Sequence, residues 1–337
     1  MSNSPKENIQ VVIASMPDGP LETSNFSIES GPVPEPAAGQ VLCRTRAVTV
    51  GAGQRAGLQG SASYAGAPKV GGVMKGSGLA VVDTSDVPEF TAGDLVRAPT
   101  GWQTYSVQDP DQLVAVTTPE DPAVLLGPLG TNGLTAYFGL MDVGGVTAGD
   151  IVVVSAAAGS VGHFVGQMAK ANGAKVVGVA GSDDKCALLV EELGFDAAVN
   201  RRSDEFRAEF KAATPDRINI YFDNTGGDIL QSALFRMAIG GRIVCCGVAS
   251  QYDTSTPAPG PRGVPGLLVN NRVSMQGFLI YDYADRYEEA RAAITGWIDD
   301  GQLRPRVTRY EGLENAPQAF VDLLAGTTVG TTMVLVN

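Results

Sequence analysis

The stretch Ile151-Val-Val-Val-Ser155-Ala156-Ala-Ala-Gly159-Ser160-Val161-Gly162-His163-Phe164-Val165 decides the fold. Its first five residues form a continuous apolar run closed by a serine, the pattern of a strand buried on both faces of a parallel sheet. Apolar residues then recur at Val161, Phe164, Val165, Met168 and Ala169, the i, i+3, i+4, i+7, i+8 spacing of an amphipathic helix. Between them, Gly159 would let the backbone approach a pyrophosphate, and Gly162 would let helix and strand pack closely. The phosphates would sit on the free N–H groups at the positive end of the helix. Ala156 replaces the usual first glycine of this fingerprint. A strand, a glycine turn and a helix in this order predict a dinucleotide site. The plain alternative is a tight strand–helix turn without a ligand.

Toward the C-terminus the alternation continues. Lys175–Ala180 is the next strand, Ser182 can cap a second helix with the stripe Cys186, Leu189, Val190 and Leu193, and Gly194 can close it. Ile218–Asp223 and Gly241–Gly247 are further strands, separated by a helix starting near Asp228, and Tyr287–Asp300 is one more helix. Strands alternating with helices make a doubly wound parallel sheet with right-handed crossovers. Residues 251–266, rich in Pro and Gly, read as an ordered loop. Glu314–Ala325 reads as a helix and Thr331–Val336 as a last strand. Toward the N-terminus the texture differs: Gln10–Ala14, Gln40–Val50, Gly78–Val82 and Asp94–Ala98 are short strands divided by Pro and Gly, as in a β-barrel. The final three dozen residues are too few for a domain and should return to this first unit.

An acid at the end of the second strand would bind the ribose 2′-hydroxyl of NAD. Here that position reads Ala180-Gly181-Ser182, with Lys185 close behind and Arg201-Arg202 after the third strand. Cations without the acid favour a 2′-phosphate, hence NADP(H). Asp183 and Asp184 are the contrary residues, but they lie in a first helical turn, where acids are favoured anyway.

Gross composition excludes several classes. With 337 residues, two domains are expected. The net charge of −12 argues against nucleic acid, and no apolar run approaches the roughly 18 residues of a membrane span. The polar N-terminus lacks a signal-peptide core. Four cysteines, Cys43, Cys186, Cys245 and Cys246, form no CxxC pair and suit reduced thiols in a cytoplasm. No metal site is expected, because the cysteines have no zinc-ligand spacing and the single histidine, His163, reads as a helix-surface residue.

Further motifs carry a resemblance. They are Gly133-Leu-Thr-Ala-Tyr-Phe-Gly139, Ala156–Gly166 with Gln167, Gly178-Val-Ala-Gly-Ser-Asp-Asp-Lys185, Glu192-Leu-Gly-Phe-Asp196 and Tyr221-Phe-Asp-Asn-Thr-Gly-Gly227. Cys246-Gly-Val-Ala-Ser-Gln-Tyr252, Met275-Gln-Gly-Phe278 and Gly312-Leu-Glu-Asn-Ala-Pro317 continue them. Over nearly its whole length the chain resembles the zinc-independent branch of the medium-chain dehydrogenase/reductase superfamily, with its prostaglandin, alkenal double-bond and curcumin reductases. The resemblance implies a GroES-like β-barrel catalytic domain at residues 1–126 and 305–337, interrupted by a Rossmann NADP-binding domain at 127–304. It places Gly159, Ser160, Val161 and Gly162 at the phosphates and Lys185 at the 2′-phosphate. Asn224, the segment Cys246, Gly247, Val248, Ser250 and Tyr252, and Phe278, Leu279 and Ile280 would line the rest of the cofactor. Family members are often homodimers that pair edge strands of their Rossmann sheets.

Departures from the family pattern fall mostly on the substrate side. Arg201 stands for a tyrosine, and Thr328-Val-Gly-Thr331 for Asn-x-Gly-Lys, which puts Thr328 at the nicotinamide end. Gly51-Ala-Gly-Gln-Arg55 stands for Asp-Pro-Tyr-x-Arg, losing a tyrosine at Gly53; a second tyrosine aligns with Asn270, and Met-Pro of the nicotinamide-side loop is Thr131-Asn132. The implied activity is NADPH-dependent reduction of the C=C bond of α,β-unsaturated ketones and aldehydes. Tyr64 is the candidate proton donor, with Tyr252 and Tyr281 as fallbacks. A quinone or carbonyl reductase, and a non-redox NADPH-binding regulator or repurposed cyclase, are the alternatives.

Overall fold

The computed structural model describes residues 7–61, 68–117 and 121–336. The first part is built of strands β1 (Glu7–Ile13), β2 (Phe26–Pro32) and β3 (Val41–Val50), helix α1 (Ala52–Leu58), and strands β4 (Gly78–Ser85), β5 (Leu95–Ala98), β6 (Tyr105–Gln108) and β7 (Val114–Ala115). Helices α2 (Pro122–Leu126) and α3 (Thr131–Phe138) lead into an alternating region: β8 (Ile151–Ser155), α4 (Gly162–Ala171), β9 (Lys175–Ala180), α5 (Asp183–Glu191), β10 (Ala197–Asn200) and α6 (Phe206–Ala213). Strand β11 (Ile218–Asp223), α7 (Gly227–Leu234), β12 (Met237–Cys245), α8 (Val264–Asn271), β13 (Ser274–Gly277) and α9 (Tyr287–Asp299) complete it. The chain closes with β14 (Val307–Glu311), α10 (Ala316–Ala325) and β15 (Thr331–Leu335).

The alternating region forms a six-stranded sheet in the order β10-β9-β8-β11-β12-β13, with every neighbouring pair parallel. Strand β8 lies near its middle, and Val152, Val153 and Val154 are fully buried, as a continuous apolar strand requires. Phe164, Val165, Met168 and Ala169 of α4 pack against it from one face, together with Phe138 and Leu140. This is a doubly wound α/β unit with the Rossmann strand order.

Strands β1 and β2 form a separate antiparallel pair, and the others form a sheet in the order β14-β15-β3-β4-β5-β7, antiparallel except for β14 and β15, with β6 added to β3. Its edge strands β14 and β7 are not paired to each other among the described residues, so the barrel is open. The C-terminal segment belongs here: β15 pairs with β3, and Phe320 of α10 packs edge-on against Trp102 at 5.8 Å between ring centres.

Three expectations are corrected. Val190, assigned to the apolar stripe of α5, is exposed, and among the described residues Leu189 alone of that helix is buried. The strand expected at Gly241–Gly247 begins at Met237 and ends at Cys245, because the N–H groups of Cys246 and Gly247 both turn to the Asp223 carbonyl. His163 is wholly buried rather than on the helix surface, for reasons that lie in the site itself.

Candidate functional site

A cleft of about 1380 Å³ runs between the two sheets, with walls from both. Fifteen of the sixteen residues named above for the cofactor line it: Gly159, Ser160, Val161, Gly162, Lys185, Arg201, Asn224, Cys246, Gly247, Ser250, Tyr252, Phe278, Leu279, Ile280 and Thr328. Val248 is not part of the wall; its side chain packs over Gly226. Tyr64 lies outside the described residues.

The floor of the cleft is the turn between β8 and α4. Ala156 keeps the left-handed conformation of the glycine that it replaces, with φ of 48°, which costs a Cβ-bearing residue about 1–2 kcal/mol. Gly162 is needed for contact: a Cβ there would stand 2.4 Å from the Ala156 carbonyl oxygen. Among the described residues no acceptor takes the N–H groups of Ser160, Val161 and Gly162, which leaves a cradle of donors at the helix start. The C-terminal strand holds this turn in place. Gly330 donates to the Ala158 carbonyl at 2.8 Å, and the Ser160 hydroxyl donates to the Gly330 carbonyl at 3.1 Å.

His163 explains its own burial at this junction. Its Nδ1 faces the Gly159 carbonyl at 2.8 Å, so that nitrogen carries the proton, and Nε2 accepts from the Arg306 N–H at 3.3 Å. Burial pulls its pKa down to about 4, against the two backbone carbonyls that favour the charged form. The ring is a neutral strut between the turn and the returning C-terminal chain, not a base.

At the end of β9, Arg201 reaches back over Gly181, whose Cβ position would lie 3.8 Å from Arg201 Nε. Lys185, Arg201 and Arg202 gather there, and among the described residues no carboxylate pairs with any of them. Burial and the neighbouring arginines pull the Lys185 pKa down. Asp183, the contrary acid in the sequence, is engaged by Asn200 Nδ2 at 2.8 Å. Lys185 Nζ already spans the cleft, donating to the Gly326 carbonyl at 2.7 Å and the Thr328 carbonyl at 2.6 Å. A donor cradle followed by uncompensated cations fits a dinucleotide that carries an extra phosphate on its ribose.

Known proteins agree with this geometry. Residues 160–296 match the family model described as zinc-binding dehydrogenase, and residues 10–116 match the N-terminal domain of oxidoreductase. The NADPH-dependent curcumin reductase of Escherichia coli (strain K12) is 37% identical over 100% of this chain and 99% of its own length. The 2-alkenal reductase (NADP(+)-dependent) of Nicotiana tabacum is 39% identical over 83% of this chain and 81% of its own. The crystal structure of CurA in complex with NADPH from Vibrio vulnificus superposes with a TM-score of 0.93 at 36% identity, covering 98% of this chain and 99% of that one. The chain belongs to the medium-chain dehydrogenase/reductase superfamily, in the branch of curcumin, prostaglandin and alkenal reductases.

Several features of this reductase fold escaped the sequence. Asp223, at the end of β11, gathers the Tyr221 hydroxyl at 3.0 Å and the Thr225 and Gly226 N–H groups at 3.0 and 2.8 Å. Burial raises its pKa, while those backbone donors work in the other direction. Beside it, Asn224 Nδ2 donates to the Ser155 carbonyl at 2.8 Å, which fixes the amide at the cleft wall. Arg55, 1% exposed, reaches Asp253 at 3.1 Å and the Gly19 carbonyl at 2.6 Å. That contact ties the loop carrying Tyr252 to helix α1. Nothing local to Arg55 could have named Asp253, which is 198 residues away.

The departures from the family pattern separate in space. Gly53, Thr131 and Asn132 line the cleft, whereas Asn270 is exposed on α8 and is absent from its walls. Of the two fallback tyrosines, both line the cleft; the Tyr252 hydroxyl accepts from the Val248 N–H at 3.5 Å, and Tyr281 is largely exposed. Among the described residues no group of three or more His, Cys, Asp or Glu side chains stands where it could hold a metal.

Proposed function

We propose that this chain reduces the C=C bond of α,β-unsaturated ketones and aldehydes with NADPH. The observation that carries the reading is the cleft itself: a donor cradle at the start of α4 and unpaired cations at Lys185, Arg201 and Arg202, in a chain of this reductase branch. Bound there, the reduced nicotinamide supplies a hydride to the β-carbon of the substrate. Ser160, Val161 and Gly162 would hold the pyrophosphate through their N–H groups, with Gly159 giving close approach. Lys185 and Arg201 would hold the 2′-phosphate. Asn224, Cys246, Gly247, Ser250, Tyr252, Phe278–Ile280 and Thr328 would shape the remaining cofactor groove. Charge developing on the substrate carbonyl oxygen needs an O–H donor, and the α-carbon then needs a proton. Tyr64 is assigned that donor role; Tyr252 and Tyr281 are the alternatives already at the wall.

The same reading divides the chain into a catalytic domain at residues 1–126 and 305–337 and a cofactor domain at 127–304. The pairing of β15 with β3 supports that division. A homodimer through the edge of the parallel sheet is part of the proposal, supported by the exposure of all four residues of β13. The four cysteines are free, which suits a reducing cytoplasm. No helix among the described residues is long and apolar enough to cross a membrane.

The test is isotopic. With 4-deuterated NADPH and an α,β-unsaturated ketone, deuterium should appear on the β-carbon of a saturated ketone. Deuterium on the carbinol carbon of an allylic alcohol would overturn the reaction class.

A further inference from the structure

Apart from the Lys185 cluster, a second pair of cations faces the cleft. Arg97 comes from β5 and Arg291 from α9, and both line the wall. The two guanidinium groups converge on a single acceptor: Arg97 Nη1 donates to the Leu129 carbonyl at 3.5 Å, and Arg291 Nε to the same oxygen at 3.3 Å. Both are long bonds, and one neutral carbonyl cannot compensate two positive charges. Arg97 Nε is buried without an acceptor, and among the described residues no carboxylate pairs with this arginine. Arg291 pairs with Glu288, whose side chain is 82% exposed, so that partner is easily exchanged. Burial, and then the charge of Arg291, pull the Arg97 pKa down to about 10.

The position of the pair bears on substrate rather than cofactor. Leu129 directly precedes Gly130-Thr131-Asn132 of the cleft wall, and Thr131-Asn132 are departures from the family pattern at the nicotinamide end, where a substrate has to meet the cofactor. Next to it the wall is apolar and aromatic, with Tyr287 under the Arg291 guanidinium at 5.7 Å. In a protein of net charge −12, two guanidinium groups at the cleft that share one exposed carboxylate, Glu288, are a local attractor for an anion. Their planar forks match a carboxylate, which can take two parallel N–H donors from one arginine.

We propose that Arg97 and Arg291 form a carboxylate subsite that makes this chain selective for enones and enals carrying an acidic group. The proposal rests on the reductase reading above, and its test separates the two. Two matched probes serve: a linear enone acid and its methyl ester for turnover, and the corresponding saturated oxo-acid and ester for calorimetric binding to the NADPH-loaded protein. The acid should exceed the ester by roughly ten- to a hundredfold in kcat/KM and in affinity. In Arg97→Gln that ratio should collapse toward one, and Arg291→Met, which keeps the aliphatic stem over Tyr287, serves where the first variant folds poorly. Equal values for acid and ester in the wild type would overturn the subsite. A variant that lowers acid and ester by the same factor would also overturn it, since the arginines would then only hold the Leu129 loop. If neither enone is reduced, the reductase reading fails, and the calorimetric ratio still decides the subsite.

Discussion

The Lys185 ammonium has three N–H donors, and the Gly326 and Thr328 carbonyls take two of them. The third remains for a phosphate oxygen, and a charge-assisted bond of this kind is worth on the order of 1.5–3 kcal/mol. NADPH should therefore bind at least about tenfold tighter than NADH. Lys185→Ala should erode that preference by about tenfold or more while leaving NADH affinity nearly constant; indistinguishable titrations of the two cofactors in the wild type would sink the assignment. His163 gives a prediction in pH. Its pKa falls from 6.5 unfolded to about 4 folded, so the unfolded chain binds the extra proton between those values. Stability is complete above pH 6.5 and is lost as pH falls toward 4, by an amount on the order of 3 kcal/mol. Melting curves from pH 7 to 5 should show a steeper loss of Tm for the wild type than for His163→Gln. The buried Asp223 carboxyl contributes with the opposite sign but is common to both proteins. Parallel slopes would refute the neutral-strut role.

Strand β13 is the element on which the proposed dimer rests. It closes the parallel sheet as an edge, and an uncovered edge presents unpaired backbone groups to any second strand. Exposed apolar side chains occur on it and on the elements next to it in the chain and the sheet: Met275 on β13 is 38% exposed, Val269 on α8 73% and Ile239 on β12 69%. Exposed apolar groups beside an open edge support a two-fold pairing with a second copy. The wild type should sediment as a dimer at micromolar concentration, and the double substitution Val269→Lys with Met275→Lys should shift it to monomer. A wild type that is monomeric across that range would discard the edge-strand dimer.

Across the whole molecule, the cleft exists because one sheet is held against the other by contacts between distant segments. Arg55 of α1 pairs with Asp253 in the loop after β12, and Gly330 reaches the Ala158 carbonyl of the phosphate turn. Gly330 permits this crossing: its φ is +66°, and a Cβ would stand 1.9 Å from the Arg306 carbonyl. By itself the sequence determined the class of each unit, the run of β8, the helix of α4, the glycine turn between them and the missing acid after β9. Those features are encoded in neighbouring residues, through apolar period, turn chemistry and capping, and need no distant partner. The tertiary structure alone decided that His163 is buried, that Lys185 latches onto Gly326 and Thr328, and that Arg97 and Arg291 converge on Leu129. It also decided that β12 starts at Met237 and that Val190 faces solvent. The first three of those outcomes depend on segments many residues away in the chain, up to 162 for Arg291 and Leu129, and so on tertiary packing rather than on any local pattern.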